Sequence, residues 1–211
     1  AAGLGAGRTI VVTPPSLAPR RIPRSALLLR PAPLPEPTAA LPISVPYPDR
    51  PLVYVTLGTF SNTNVALFRL VLAALADLPV SVLVTAGHGF DPDALGAVPD
   101  NALVTDFVPQ AALLPHCAAV VHHAGAGTMF GVLAHGLPAV ALPQSADNFL
   151  LADRLAASGA AVRLLPGAVT VRSVEEATRT VLSDPATRQA AMRLASEIAA
   201  MPDAPAIAER L

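Results

Sequence analysis

The residues best equipped for chemistry fall in one run, Ala118 to Gly136, which reads A-A-V-V-H-H-A-G-A-G-T-M-F-G-V-L-A-H-G. A short apolar strand from Ala118 to Val121 leads into His122 and His123, then into Gly125-Ala126-Gly127, and a helical pattern begins at Thr128. The first backbone N–H groups of a helix have no intrahelical partner and carry partial positive charge, so an anion can rest on them where no side chain blocks its approach. Gly125 and Gly127 remove those side chains, and His122 or His123 at the strand's end supplies a further hydrogen-bond donor for the same oxygens. The chemistry this spacing suits is recognition of a phosphate-bearing ligand.

Such a loop needs a rigid frame, and the chain from Leu52 onward alternates in the manner of a parallel sheet covered on both faces by helices. Strands are predicted at Leu52–Leu57, Ser81–Ala86, Ala102–Phe107, Ala118–Val121, Ala139–Leu142 and Val162–Leu165. Helices are predicted over Val65–Leu78, stopped by Pro79, and over Asn148–Ser158, closed by Gly159. A weak turn near Ala94 and a short helix from Pro109 to Pro115 fill the middle, and two helices, Val174–Ser183 and Ala186–Ala200, end the chain. The fold class expected is α/β, a Rossmann-like, doubly wound, six-stranded parallel sheet. Ligands of such sheets sit beyond the carboxyl ends of the strands, near the point where strand order reverses. The polar and glycine-bearing junctions Gly58-Thr59, Gly87-His88, Val108-Pro109-Gln110, His122 to Thr128 and Gln144 to Asn148 all fall at those ends and should converge on one cleft.

Composition narrows the partners. With 211 residues, 53% hydrophobic and 14% charged, one sizeable core is expected, and the net charge of -1 provides no basic field for nucleic acid or an anionic membrane. The single cysteine, Cys117, lies in an apolar context and reads as a buried structural thiol. No run approaches the roughly 18 apolar residues of a membrane span, and no charged-then-apolar leader opens the sequence, so a cytoplasmic location is expected. Before Leu52 the chain is different: 12 of its 23 prolines lie there, a density that bars helix and most sheet pairing. Residues 1–51 therefore read as a Pro-rich extended connector carrying the end of a preceding domain, with Thr9–Thr13 and Ala26–Leu29 as short strands of something else. Residues 52–211 read as the ligand-binding domain. Gly3, Gly5 and Gly7 precede a strand where a phosphate cradle would follow one.

Two other patterns are weaker. Gly125, Gly127 and Gly131 with Asp147 fit a loose dinucleotide fingerprint, but that acid comes after the break Pro143-Gln144-Ser145 and the loop belongs to the fourth strand–helix unit. Asp91-Pro92-Asp93 resembles a metal-holding acid pair and is common turn chemistry. His88, His116 and His135 stand singly, and Asp153 and Arg154 read as a solvated helix face.

Taken together, V-Y-V-T-L-G-T-F, D-F-V-P-Q-A-A-L-L-P-H-C-A-A-V-V-H-H-A-G-A-G-T and G-L-P-A-V-A-L-P-Q-S-A-D-N-F-L-L-A-D-R-L resemble the C-terminal, donor-binding half of the GT-B-fold family 1 glycosyltransferases that decorate antibiotics and other natural products. The resemblance runs from about Thr9 to Leu211. It implies transfer of a sugar from a nucleoside diphosphate donor to a hydroxyl of a small-molecule acceptor, with inversion, without a cofactor or an obligatory metal. It places phosphate contacts on His122, on the loop Gly125, Ala126, Gly127 and Thr128, and on Gly58 and Thr59. It places base recognition on Val108 and Gln110, and the sugar hydroxyls on Asp147 and Asn148. The chain departs from the family's pattern at Ala124, where glycine is usual, at Asn148, where glutamine is usual, and at Phe130, set against the glutamate of uridine-donor enzymes. The last departure implies a deoxyribose donor such as a dTDP-sugar. The family's catalytic base belongs to an N-terminal domain of the same protein, so no catalytic residue is expected in these residues and they should bind donor without turnover. A non-catalytic nucleotide-sugar-binding module of the same fold, another GT-B enzyme such as a nucleotide-sugar epimerase, and a dehydrogenase are the alternative readings.

Overall fold

The apolar runs become strands because both of their faces are covered. The computed structural model describes residues 9–18, 22–31, 40–58 and 64–209. Eight strands occur in it: β1 Ile10–Val11, β2 Leu27–Leu28, β3 Leu52–Thr56, β4 Ser81–Thr85, β5 Ala102–Thr105, β6 Cys117–His122, β7 Ala139–Ala141 and β8 Ala161–Arg163. The last six form one parallel sheet in the order β5-β4-β3-β6-β7-β8. Every residue of β3 and β4 is buried, which is why these strands read as near-continuous apolar segments and not as alternating ones. The strand order reverses between β3 and β6, so the crevice beyond their carboxyl ends is where such a fold takes a ligand.

The helices are α1 Val65–Leu75, α2 Gln110–Leu113, α3 Ala126–Ala134, α4 Asn148–Ala157, α5 Val171–Ser183, α6 Pro185–Ala200 and α7 Ala204–Ala208. On one face of the sheet Tyr54, Leu83 and Val120 pack under α3, α4 and α6 through Leu133, Leu155 and Leu194. On the other face Val55, Val84 and Val121 pack under α1 and α5 through Leu72 and Val181. The starts of several helices are fixed locally. Asn64 accepts the Leu67 N–H at 3.1 Å to cap α1, Thr170 and Ser173 form a reciprocal capping box on α5, and Asp184 accepts the N–H groups of Ala186 and Thr187 ahead of Pro185 on α6. Asp153 of α4 is paired with Arg163 of β8. Asp91 caps the short 3-10 turn Pro92–Leu95, accepting the Asp93 N–H at 3.0 Å, in line with turn chemistry for that acid pair. No helix among the described residues is long and apolar enough to cross a membrane.

The proline-rich stretch is docked, and its two short strands pair with each other. β1 and β2 lie parallel, Ile10 opposite Leu27 and Val11 opposite Leu28. Leu17, 1% exposed, enters the core layer beneath α6, and Leu41, Ile43 and Val45 pack against the same layer. Polar clasps reinforce the contact. The Ser16 N–H donates to Glu197 at 2.8 Å, Arg30 donates through Nε and Nη2 to the Met201 carbonyl at 3.2 and 3.1 Å, and the Arg30 N–H donates to the Pro202 carbonyl at 2.8 Å. Proline density limits the described residues of this stretch to that two-residue parallel pair, and leaves their apolar side chains free to cover another surface. Gly3, Gly5 and Gly7 lie outside the described residues.

Candidate functional site

Parallel register lines up the carboxyl ends of the strands. Thr105, Thr85, Thr56, His122 and Ala141 stand side by side in one row across β5, β4, β3, β6 and β7. Beyond this row lies a cleft of about 730 Å³, within the ~300–1,000 Å³ typical of small-ligand sites. Gly58 from the β3 end, Val108 and Gln110 from the β5 end, Gly125 to Thr128 from the β6 end and Asp147 and Asn148 from the β7 end all line it. Thr59 lies outside the described residues.

The β6–α3 turn is the centre of the cleft. Gly125 is the N-cap of α3 with extended backbone and no side-chain cap, so the N–H groups of Ala126, Gly127 and Thr128 are left to a ligand. A methyl group built on Gly127 would meet nothing within 4 Å, so the approach to those donors is open. The two histidines part company here. His123 lines the cleft, and its imidazole sits so close to Gly58 and Gly125 that a methyl group on either would overlap the ring. Gly58 is also in the left-handed region at φ 73°, doubly suited to glycine. Burial lowers the His123 imidazole below its ordinary value, and the Asp147 carboxylate opposes that shift.

His122 is not in the cleft, which corrects the expectation that it meets the phosphates. Side chains alternate along β6, so His122 shares the face of Val120, where α3 covers the sheet, and it is 0% exposed. Its Nδ1 accepts the Ala124 N–H at 2.9 Å, which fixes the neutral ring with its proton on Nε2, and Nε2 is buried without a partner. An unpaired buried donor costs about 1–3 kcal/mol. Burial, reinforced by His123, pushes the His122 imidazole down to about 3. Phe130 is corrected in the same way. It is 5% exposed and part of the core, whereas the α3 residue one turn beyond Thr128 that faces the cleft wall is Gly131, where a Cβ would lie 3.8 Å from the Gln110 Oε1.

The remaining walls are organised by hydrogen bonds. Tyr54, 1% exposed in the middle of β3, shares a 2.6 Å hydrogen bond with the Thr85 hydroxyl, and Gln110 Nε2 donates to the Tyr54 hydroxyl at 3.3 Å and to the Thr128 hydroxyl at 3.5 Å. Asn64 Nδ2 donates to Gln144 at 3.1 Å, tying the β7 loop to the start of α1. Asp147 opens α4 without making a capping hydrogen bond, its side chain is exposed to the cleft, and the preceding Ala146 is held at φ 51°. Among the described residues no three His, Cys, Asp or Glu side chains gather as a metal site. Cys117 is buried and its thiol is pushed up to about 12 by burial, in keeping with a structural role.

The reading from residue types overlooked Tyr54, Thr85, Asp106 and Phe107, all of which line the cleft. Phe107 is the most exposed of these aromatics at 60%, with His88 stacked on it at 5.5 Å between ring centres. One signal for Tyr54 was available: a phenol in an otherwise aliphatic buried strand, two residues before Thr56 and so on the same face, needs a polar partner.

Residues 69–211 match the family described as erythromycin biosynthesis protein CIII-like, C-terminal domain. The chain belongs to that family. Demethyllactenocin mycarosyltransferase of Streptomyces fradiae is 39% identical over 153 residues, which are 72% of this chain and 33% of the relative. Among solved structures, the calicheamicin glycosyltransferase CalG4 superposes with a TM-score of 0.84 at 28% identity, over 97% of this chain and 51% of CalG4. The glycosyltransferase VinC in complex with dTDP superposes with a TM-score of 0.78 at 31% identity, over 96% of this chain and 51% of VinC. The chain thus has the C-terminal, Rossmann-like fold of GT-B glycosyltransferases and spans about half the length of these solved relatives, a third of the curated one.

Proposed function

We propose that this domain is the donor-binding half of an inverting glycosyltransferase, which holds a nucleoside diphosphate sugar of the dTDP class for transfer to a hydroxyl of a natural-product acceptor. The observation that carries the reading is the His123 imidazole, seated between Gly58 and Gly125 beside the open N-terminus of α3 at the point where strand order reverses. Cleavage of the sugar–phosphate bond develops negative charge on the departing diphosphate and oxocarbenium character on the sugar. Donors fixed in advance on the diphosphate lower that barrier. His123 and the N–H groups of Ala126 to Thr128 fill this role, Phe107 and Val108 flank the base, and Asp147 with Asn148 bind sugar hydroxyls. The base that takes the acceptor's proton comes from a partner N-terminal domain, and neither metal nor cofactor takes part. A relative solved with dTDP supports the nucleotide class.

Asp147 tests the sugar role. Because its carboxylate caps nothing, Asp147→Ser is expected to leave the melting temperature and dTDP affinity nearly intact while removing the extra affinity for an intact dTDP-sugar over dTDP. Calorimetry with both ligands reads the difference, and equal loss of both affinities, or no loss of either, overturns the assignment.

The wall formed by α3 bears on the nucleotide. It carries no carboxylate to meet a ribose 2′-hydroxyl, so dTDP should bind at least as well as UDP. Phe130→Glu would bury a charge in the core, whereas Gly131→Glu has only ordinary contacts to meet, 3.5 Å to Leu114 and 3.8 Å to Gln110. Gly131→Glu is expected to shift preference toward UDP about tenfold, the scale of one charged hydrogen bond. Strong preference of the native domain for UDP sinks the deoxyribose assignment.

A further inference from the structure

We infer that His122 is a positioning residue for the cleft: its Nδ1, by accepting the Ala124 N–H at 2.9 Å, holds the left-handed turn that seats the His123 imidazole between Gly58 and Gly125. The inference rests on the proposal that His123 meets the diphosphate, and it gives a role to a side chain that never touches the ligand. Ala124 stands at φ 63°, is fully buried, and is followed at once by the cap of α3. The Ala124 N–H finds its acceptor in the side chain two residues earlier. The pattern, a side-chain acceptor at one position taking the N–H two positions on, is the geometry that aspartate and asparagine build in Asx turns, here made with an imidazole.

The identity of the residue supports this reading. The other four positions of the terminal row, Thr105, Thr85, Thr56 and Ala141, are small. An imidazole at the fifth fills space that an aliphatic chain would fill without an unpaired nitrogen, yet Nε2 remains buried and unbonded. What the ring supplies and a leucine does not is the acceptor for Ala124. The carbonyl of His122 meanwhile accepts the Leu142 N–H at 2.8 Å, so the turn hangs from a point fixed by the neighbouring strand. The turn's geometry then decides whether His123 enters the gap between two glycines, a gap with no slack for a displaced ring.

Two substitutions test the inference. His122→Leu keeps the apolar volume and removes the acceptor; His122→Asn restores an acceptor for the N–H two residues on. His122→Leu exchanges the unpaired Nε2 for an unpaired Ala124 N–H and is expected to keep a melting temperature close to native at pH 7, while lowering dTDP affinity about tenfold and changing the His123 imidazole signals in nitrogen-15 NMR of the free protein. His122→Asn is expected to bring affinity back to within about threefold of the native value. Native affinity and native His123 signals in a folded His122→Leu protein overturn the inference, as does an Asn variant no better than Leu. If the native protein fails to bind dTDP, the proposed function falls, whereas the His123 signals of the free variants still decide the positioning role.

Discussion

His123→Ala is expected to weaken dTDP binding by about 1–3 kcal/mol, roughly 5- to 150-fold, with a melting temperature close to native. The ring is half-buried, lines the cleft and makes no hydrogen bond to a described residue, so its removal opens space to water and creates no cavity in the core. What is lost is a donor aimed at a site where α3 already presents three N–H groups, and those groups set the affinity that remains. A companion substitution separates the ring's presence from its position. Gly125→Ala leaves the imidazole in the chain but places a methyl group where the ring sits, and should lose affinity to a similar degree. Calorimetry with dTDP measures both. Unchanged affinity in a folded His123→Ala protein removes the ring from the phosphate site, and with it the observation on which the proposed function stands.

Acid should unfold this domain through His122. The native ring titrates near 3, the unfolded one near 6.5, so between these values the unfolded chain binds a proton that the native state refuses. Stability is therefore complete above about pH 6.5 and falls as pH drops toward 3, by about 1.4 kcal/mol per unit. Between pH 6.5 and 4.5 the loss from this single group is about 2 kcal/mol, a sizeable part of the ~5–15 kcal/mol that holds a domain together. His123, lowered in the same direction, adds to the loss. Urea unfolding at pH 7 and pH 4.5, compared between native protein and His122→Leu, isolates the effect: the variant should lose markedly less stability on acidification. Equal losses would mean that His122 is not held neutral in the core.

The sheet was legible because parallel strands buried on both faces read as short apolar runs, each ended by glycine or proline where a junction had to turn. The same logic brought Gly58, Val108, Gln110, Gly125 to Thr128, Asp147 and Asn148 to one cleft, since every one follows a strand's carboxyl end. Misplacements of a single residue mark where the reasoning stopped. Period-two alternation puts His122 on a definite face, but whether that face is open or roofed depends on how α3 crosses it, and that is a matter of packing between distant parts of the chain. Resemblance sets Phe130 against the uridine-donor glutamate, one residue away from Gly131, and the roughly 100° that one residue turns a helix separates the core-facing position from the one beside Gln110. Proline density left room in residues 1–51 for only two short strands, which pair with each other, and it carried no information on which surface Leu17 and Arg30 would bind. The short α7 escaped notice because five residues hold too little periodicity to register.

The clasp between Arg30 and the Met201–Pro202 carbonyls bears on how this domain can be recombined with others. Leu52, where the large sheet begins, looks like the natural place to join a donor-binding half from one enzyme to an acceptor-binding half from another. A junction there would replace Leu17, Ile43 and Val45 with foreign side chains against an unchanged α6 surface, and would separate Arg30 from the carbonyls it grips. Among the described residues, the unit that packs as one body includes Ile10 and is clasped at Met201–Pro202. Chimeras that respect it carry their proline-rich segment along with the sheet, so that Leu17 and Arg30 keep the partners they have here.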